Sequence, residues 1–206
     1  MASEPYYTLV SSLPGLPHFT DAEWLPLSRK QQDQRHSKHK EEDAKHLRLE
    51  DDLVQWQRQP ITRTDEQVAQ SFRRTMPLIK HPALHEFVDF RMGQRTALVA
   101  LRRRRLGLPK PGKDEAWGAG PWMQLMVDNW DRSDLGLGHI LPWLDDAGKL
   151  LDRGHALELE RLLMDAVWTR LGRIAERRAF GLEQVICFVF RWDILQRWMT
   201  YDAAKG

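Results

Sequence analysis

"VICFVFRWDILQRWMTYDAA", residues 185–204, decides between two fold classes. Its first six residues, Val185 to Phe190, are β-branched and aromatic enough to form a short buried strand. No breaker follows them, and Trp192, Leu195, Trp198 and Met199 continue at intervals of three and four. That spacing returns side chains to one helical face, so the stretch reads as one helix. Apolar residues on most of its faces make it a helix that other elements surround.

Working upstream, the same period recurs. Segment 155–178 places Leu159, Leu163, Ala166, Val167, Leu171 and Ile174 on one face, with Arg161 and Asp165 at i,i+4 on another. "LDDAGKLLDRG" (144–154) and "PWMQLMVDNW" (121–130) read as short helices, joined by the turn-rich "DRSDLGLGHILPW". "TDEQ" at 64–67 has the form of a capping box, opening a helix that should reach about Met76 before Pro77. Pro82 suits the first turn of the next helix, which runs through Leu84, Phe87, Val88, Leu98 and Leu101 to Leu106. Gly107 is its natural cap, with Pro109 and Pro111 beyond.

The later half of 28–57 carries Leu47, Leu49, Leu53, Val54 and Trp56 at helical spacing, while its charged first half reads as solvated. Tyr6, Tyr7, Leu9, Val10 and Leu13 fit either a strand or a short helix among Pro5, Pro14, Gly15 and Pro17. No hairpin dipeptide and no alternating run interrupts the series, so the expected fold is all-α in two small lobes. The Pro/Gly-rich stretch 107–120, "GLPKPGKDEAWGAG", is the expected boundary. It separates a helical lobe over 28–106 from another over 121–206, with 1–27 an irregular segment packed on the helices.

Composition narrows the function classes. A hydrophobic fraction of 42% with nine tryptophans in 206 residues favours a packed core over disorder. Lys and Arg number 31 against 29 Asp and Glu, so the chain lacks the charge segregation of a general nucleic-acid binder. The single Cys187 makes no internal disulfide, and there is no CxxC, which fits a reducing cytoplasm. "MASEPYYTLVSSLPG" lacks the basic start and apolar core of a signal peptide. The run from Val185 to Phe190 is far short of the roughly 20 residues a membrane helix needs.

Arg102, Arg103, Arg104 and Arg105 are the most unusual charge feature. At about 100° per residue they ring the end of a helix and form no single stripe. Cations there offset the partial charge of the last carbonyls by about 0.3–1 kcal/mol each, which accounts for one or two of them. The surplus points either to pairing with local carboxylates or to docking on an acidic partner, whether protein, nucleic acid or lipid headgroup. Stacking aromatics, which a single-strand binder uses, are missing from 97–113. Arg197 and Trp198, near the end of the last helix, are a second candidate contact, since tryptophan and arginine are enriched at interface hot spots.

Other constellations read as structural. His36, His39 and His46 lie in a solvated stretch, and His81 and His85 are four apart without HExxH or a third ligand. Asp128, Asp131 and Asp134 are spaced by three, unlike an EF-hand loop. Gly136 and Gly138 follow no strand and lack a third glycine, so they are no dinucleotide fingerprint. No nucleophile motif or phosphate loop is present, so neither enzyme activity nor a cofactor or metal is expected.

Several stretches together resemble a known family. They are "YYTLVSSLPGL", "WQRQP" at 56–60, "FRMGQRTALVALRRRRLGL" at 90–108, "WDRSDLGLG" with "PWL", and "FGLEQVICFVFRWDILQRWMTYDAAKG". In these the chain is similar to a bacterial domain-of-unknown-function family encoded beside the components of V-type (archaeal/vacuolar-type) ATPases. The arginine-ended helix followed by Leu-Gly, and the late helix with an aromatic and basic end, also resemble the funnel subunit of those enzymes. That protein, the C-type subunit (d-type in the vacuolar enzyme), is an all-α funnel seated on the membrane rotor ring. It is built from three lobes where this chain has room for about two. The resemblance implies a shortened, non-catalytic coupling part or assembly factor, cytoplasmic or peripheral on the inner membrane face. Its partners would be the V-type ATPase stalk and membrane-ring subunits, its membrane contact indirect through them, and no nucleic acid is expected. The competing reading is a small helical RNA- or DNA-binding module using Arg102 to Arg105.

Overall fold

The computed structural model describes residues 6–26, 62–113 and 115–203. They form seven α-helices and no strand: α1 (Tyr7–Ser11), α2 (Asp65–Thr75), α3 (Pro82–Arg105), α4 (Met123–Asp128), α5 (Leu144–Arg153), α6 (Ala156–Ala175) and α7 (Leu182–Ala203). The all-α expectation holds, and residues 185–203 are a continuous part of α7. The open choice at the N-terminus resolves as the short helix α1. The helix expected within 28–57, and His36, His39 and His46, lie outside the described residues.

Local chemistry sets the helix ends. Thr64 Oγ1 accepts from the Gln67 amide at 3.2 Å, and Gln67 Oε1 accepts from the Thr64 amide at 3.0 Å, completing the capping box. Asp65 and Glu66 in the first turn and Arg73 and Arg74 in the last complement the helix dipole. A 3-10 turn, Met76–Leu78, takes over where Pro77 ends the α geometry. His81 is extended (φ −77°, ψ 121°), as a residue before proline prefers, and α3 starts at Pro82.

The described residues divide into two compact units. One comprises 62–166 and the other 6–26 with 167–203, so α6 contributes residues to each. The 107–120 stretch lies within the first of these units. Its later part is packed on α3, with Trp117 and Ala119 buried. Local Pro/Gly content signals a turn-rich path, not the end of a packed body.

In the unit over 62–166, α3 is the central element. Met92, Gly93, Gln94, Thr96, Ala97, Leu98, Ala100 and Leu101 are all buried, which leaves little of that stretch facing water. Two polar side chains there are matched rather than stranded. Gln94 Nε2 donates to the Leu163 carbonyl at 3.1 Å, and Gln94 Oε1 accepts from Arg91. Thr96 Oγ1 donates to the Ala119 carbonyl at 2.5 Å and accepts from the Ala119 amide at 3.0 Å. The 117–122 segment can lie this close because small residues meet there. A Cβ on Gly93 would collide with the Trp122 ring, and one on Gly120 would come within 3.0 Å of the Gly93 backbone nitrogen. Helices α4 and α5 also pack on α3.

In the other unit, the N-terminal segment packs on α7 and the second half of α6. His18 caps the 3-10 turn Phe19–Asp21, accepting from the Thr20 amide through Nδ1 at 3.4 Å. That turn presents the fully buried Phe19 to Trp168 and Trp198, with ring centroids 5.7 and 5.4 Å away. Phe188 and Trp192 form a second cluster with Leu13, Leu16 and Leu25. The Arg191 guanidinium lies over the Trp168 ring at 4.6 Å and donates to the Trp168 carbonyl at 2.9 Å. Cys187 is buried beside it, and burial pushes its thiol pKa up.

Candidate functional site

The four arginines at the end of α3 do not act alike. Arg103 donates through Nη1 to Glu115 Oε1 at 2.5 Å and through Nη2 to the Pro109 carbonyl at 3.4 Å. Arg104 Nη1 donates to the Arg132 carbonyl at 2.7 Å. Arg105 Nη1 donates to the Leu151 carbonyl in the last turn of α5. That carbonyl lies at the negative end of the α5 dipole, so the cation is stabilising there. Arg102 is exposed and makes no side-chain hydrogen bond or ion pair among the described residues. Three arginines therefore tie the helix end to three separate segments, 109–115, the turn at 132 and the end of α5.

The turn that Arg104 grips is itself tightly organised. Arg132 donates to Asp134 at 2.9 and 3.1 Å, and Asp134 Oδ1 accepts from the Gly136 amide at 3.0 Å. The Arg132 hydrogen bond, followed by the Gly136 amide, holds the Asp134 carboxyl well below the usual carboxylate range. The fully buried Leu135 sits at φ 50°, a left-handed conformation its neighbours must hold in place. Glu115 is likewise lowered, first by the Gly112 amide and then by Arg103.

A cleft of about 430 Å³ lies beside these ties, lined by Leu101, Arg104, Arg105, Ser133, Asp145, Gly148, Lys149, Leu151 and Asp152. Carboxylates and cations share its wall, so it lacks the single-sign field that concentrates a phosphate. Several of the other sequence candidates have structural partners. His85 Nδ1 is 3.2 Å from Asp89, Gln124 donates to Asp128, and Asp134 closes the glycine turn. Asp89 is nevertheless raised, because burial outweighs His85. Among the described residues no group of three or more His, Cys, Asp or Glu side chains could hold a metal ion.

At the end of α7, Arg197 Nε donates to the Tyr201 hydroxyl at 3.0 Å. Trp198 is half-buried, its ring edge-on to Phe19. Among the described residues the exposed tryptophan is Trp24, 67% exposed, and not one on the last helix.

The sequence did not single out the leucines that flank the cap of α3. The Leu108 amide donates to the Arg103 carbonyl and the Gly107 amide to the Arg104 carbonyl, both at 2.9 Å. With Gly107 at φ 67° this is a Schellman cap. It turns the chain away and leaves Leu106 73% and Leu108 44% exposed. The arginine–leucine–glycine order was a readable signal for the cap. Exposure of both leucines was not readable, because it depends on what packs nearby. Comparison with protein families, with curated proteins and with solved structures finds no match to this chain.

Proposed function

We propose that this chain is a non-catalytic component of a V-type ATPase/ATP synthase system, either a stalk-to-rotor-ring adaptor like the C-type funnel subunit or an assembly factor. The observation that carries the reading is the cross-tied end of α3. A helix of about 36 Å is fastened at its end by Arg103, Arg104 and Arg105 to three segments of its own unit. Along its middle, Thr96 and Gln94 fasten it through buried hydrogen bonds. Such a braced body suits a part that transmits or holds force between larger subunits. The stretches resembling the ATPase-associated family support the identity of those partners. On this reading the chain works in the cytoplasm, peripheral to the inner membrane face. No helix among the described residues is long and apolar enough to cross a membrane.

The test is isolation of the N-terminally tagged chain from gently solubilised membranes in moderate salt, with its companions identified by mass spectrometry. Near-stoichiometric ATPase stalk and membrane-ring subunits are expected. Recovery of the chain alone, or with RNA released by higher salt, would sink the proposal. The nucleic-acid alternative is weakened by the ties, which among the described residues leave Arg102 as the free member of the quartet. Even with Lys110 and Lys113 added, three phosphate contacts give a log–log salt slope of only about −2 to −3.

A further inference from the structure

The end of α3 presents more than charge. Arg102 and Leu106 are four residues apart at the helix end and so share a face. Leu106 and Leu108, separated by Gly107, stand out from the cap with most of one side chain and nearly half of the other in water. Arg103, by binding both the Pro109 carbonyl and Glu115, holds the segment with Lys110 and Lys113 beside the helix end. Both lysines are exposed and, like Arg102, have no ion pair among the described residues. The described carboxylate of this segment, Glu115, is already engaged by Arg103 and the Gly112 amide. Two exposed leucines are thus accompanied by three cations, Arg102, Lys110 and Lys113, that make no ion pair among the described residues.

We propose that this tip, Arg102, Leu106, Leu108, Lys110 and Lys113, docks on an anionic phospholipid bilayer. The leucines enter the headgroup–acyl boundary while the cations lie over acidic headgroups. Charge complementarity selects the anionic surface, since each Lys or Arg near such a leaflet strengthens binding about fivefold. The small apolar area selects a bilayer over a protein. Two leucines supply only a fraction of the roughly 800 Å² per partner that a specific protein interface uses. A fluid bilayer accepts a narrow apolar wedge without a matching pocket. The contact is weak by itself, as single membrane anchors are, and adds to whatever protein contacts hold the chain.

The experiment is co-sedimentation of the full chain with vesicles of phosphatidylcholine alone and of phosphatidylcholine mixed with phosphatidylglycerol, at low and high salt. Binding at least about tenfold stronger to the mixed vesicles, weakened by salt, is expected. Lys110→Gln with Lys113→Gln should reduce it about 25-fold, and Leu106→Ser with Leu108→Ser should reduce it by about tenfold or more. All four side chains are exposed, so an unchanged melting midpoint will show that both variants fold. Equal binding to the two vesicle types, or binding that neither double variant weakens, overturns the proposal. So does a leucine variant that loses ATPase partners in a protein that never bound vesicles, an outcome assigning the tip to a protein partner. Vesicle binding abolished by both variants supports the tip even if no ATPase component co-purifies, which keeps this result separate from the proposed function.

Discussion

Thr96→Val is the sharpest probe of the bracing on which the proposed role rests. The substitution keeps the branched shape but removes a hydroxyl that both donates to and accepts from Ala119. Ala119 is 4% exposed, so its amide and carbonyl have no ready access to water once the hydroxyl is gone. Each unsatisfied buried group costs about 1–3 kcal/mol. The two together, less the small gain from a more apolar side chain, give a loss of about 2–4 kcal/mol. That is a large fraction of the roughly 5–15 kcal/mol by which domains are stable. With a urea m-value of ~2 kcal/mol/M, the midpoint should fall by about 1–2 M. Thr96→Ser is the control. It keeps both hydrogen bonds and loses only the methyl that lies against Gly118, a cost of about 1 kcal/mol. Urea unfolding followed by far-UV circular dichroism and tryptophan fluorescence reads both. If valine is tolerated as well as serine, the hydroxyl does not hold segment 117–122 to α3, and the braced-body reasoning fails at its centre.

Three further outcomes rest on the same geometry. Arg104→Gln with Arg105→Gln removes two charged donors to backbone carbonyls and should cost about 1–2 kcal/mol, whereas Arg102→Gln should stay within about 0.5 kcal/mol; thermal melts that rank them the other way refute the assignment. Asp134 has its carboxyl pKa depressed, so its stabilisation is present above the unfolded value of about 3.9 and is lost as pH falls through the folded one. Asp134→Asn should therefore be less stable than the parent near neutral pH, with the gap narrowing as pH falls towards about 2; a gap of equal size at both pH values argues against the carboxylate. Gly107→Ala should destabilise by about 1 kcal/mol although nothing lies within 4 Å of the new Cβ, because φ 67° disfavours any side chain there. Gly107→Asn should cost less in the same melt, since Asn tolerates that conformation.

Several features that depend on neighbours a few residues away were readable in the sequence. Thr64 and Gln67 cap α2 as their spacing implies, and Pro82 and Gly107 bound α3 through backbone chemistry they carry themselves. Residues 185–203 are helical for the same reason, since the three-and-four spacing after Phe190 is a property of the chain alone.

Tertiary structure alone decided what those elements meet. The partners of Arg103, Arg104 and Arg105 lie 12, 28 and 46 residues away, at carbonyls and a carboxylate with no sequence signature. Trp198 looked available at a helix end, yet Phe19 brings the N-terminal segment against it. The 107–120 stretch has the composition of a linker, but Thr96 and the small residues around Gly93 let its later half pack as interior. Composition reports how freely a segment can turn, while burial depends on the surface against which it folds. By itself the sequence determined an all-α chain with its helix ends in place. Packing decided which of four adjacent arginines brace the molecule and left Arg102, beside Leu106 and Leu108, facing outward.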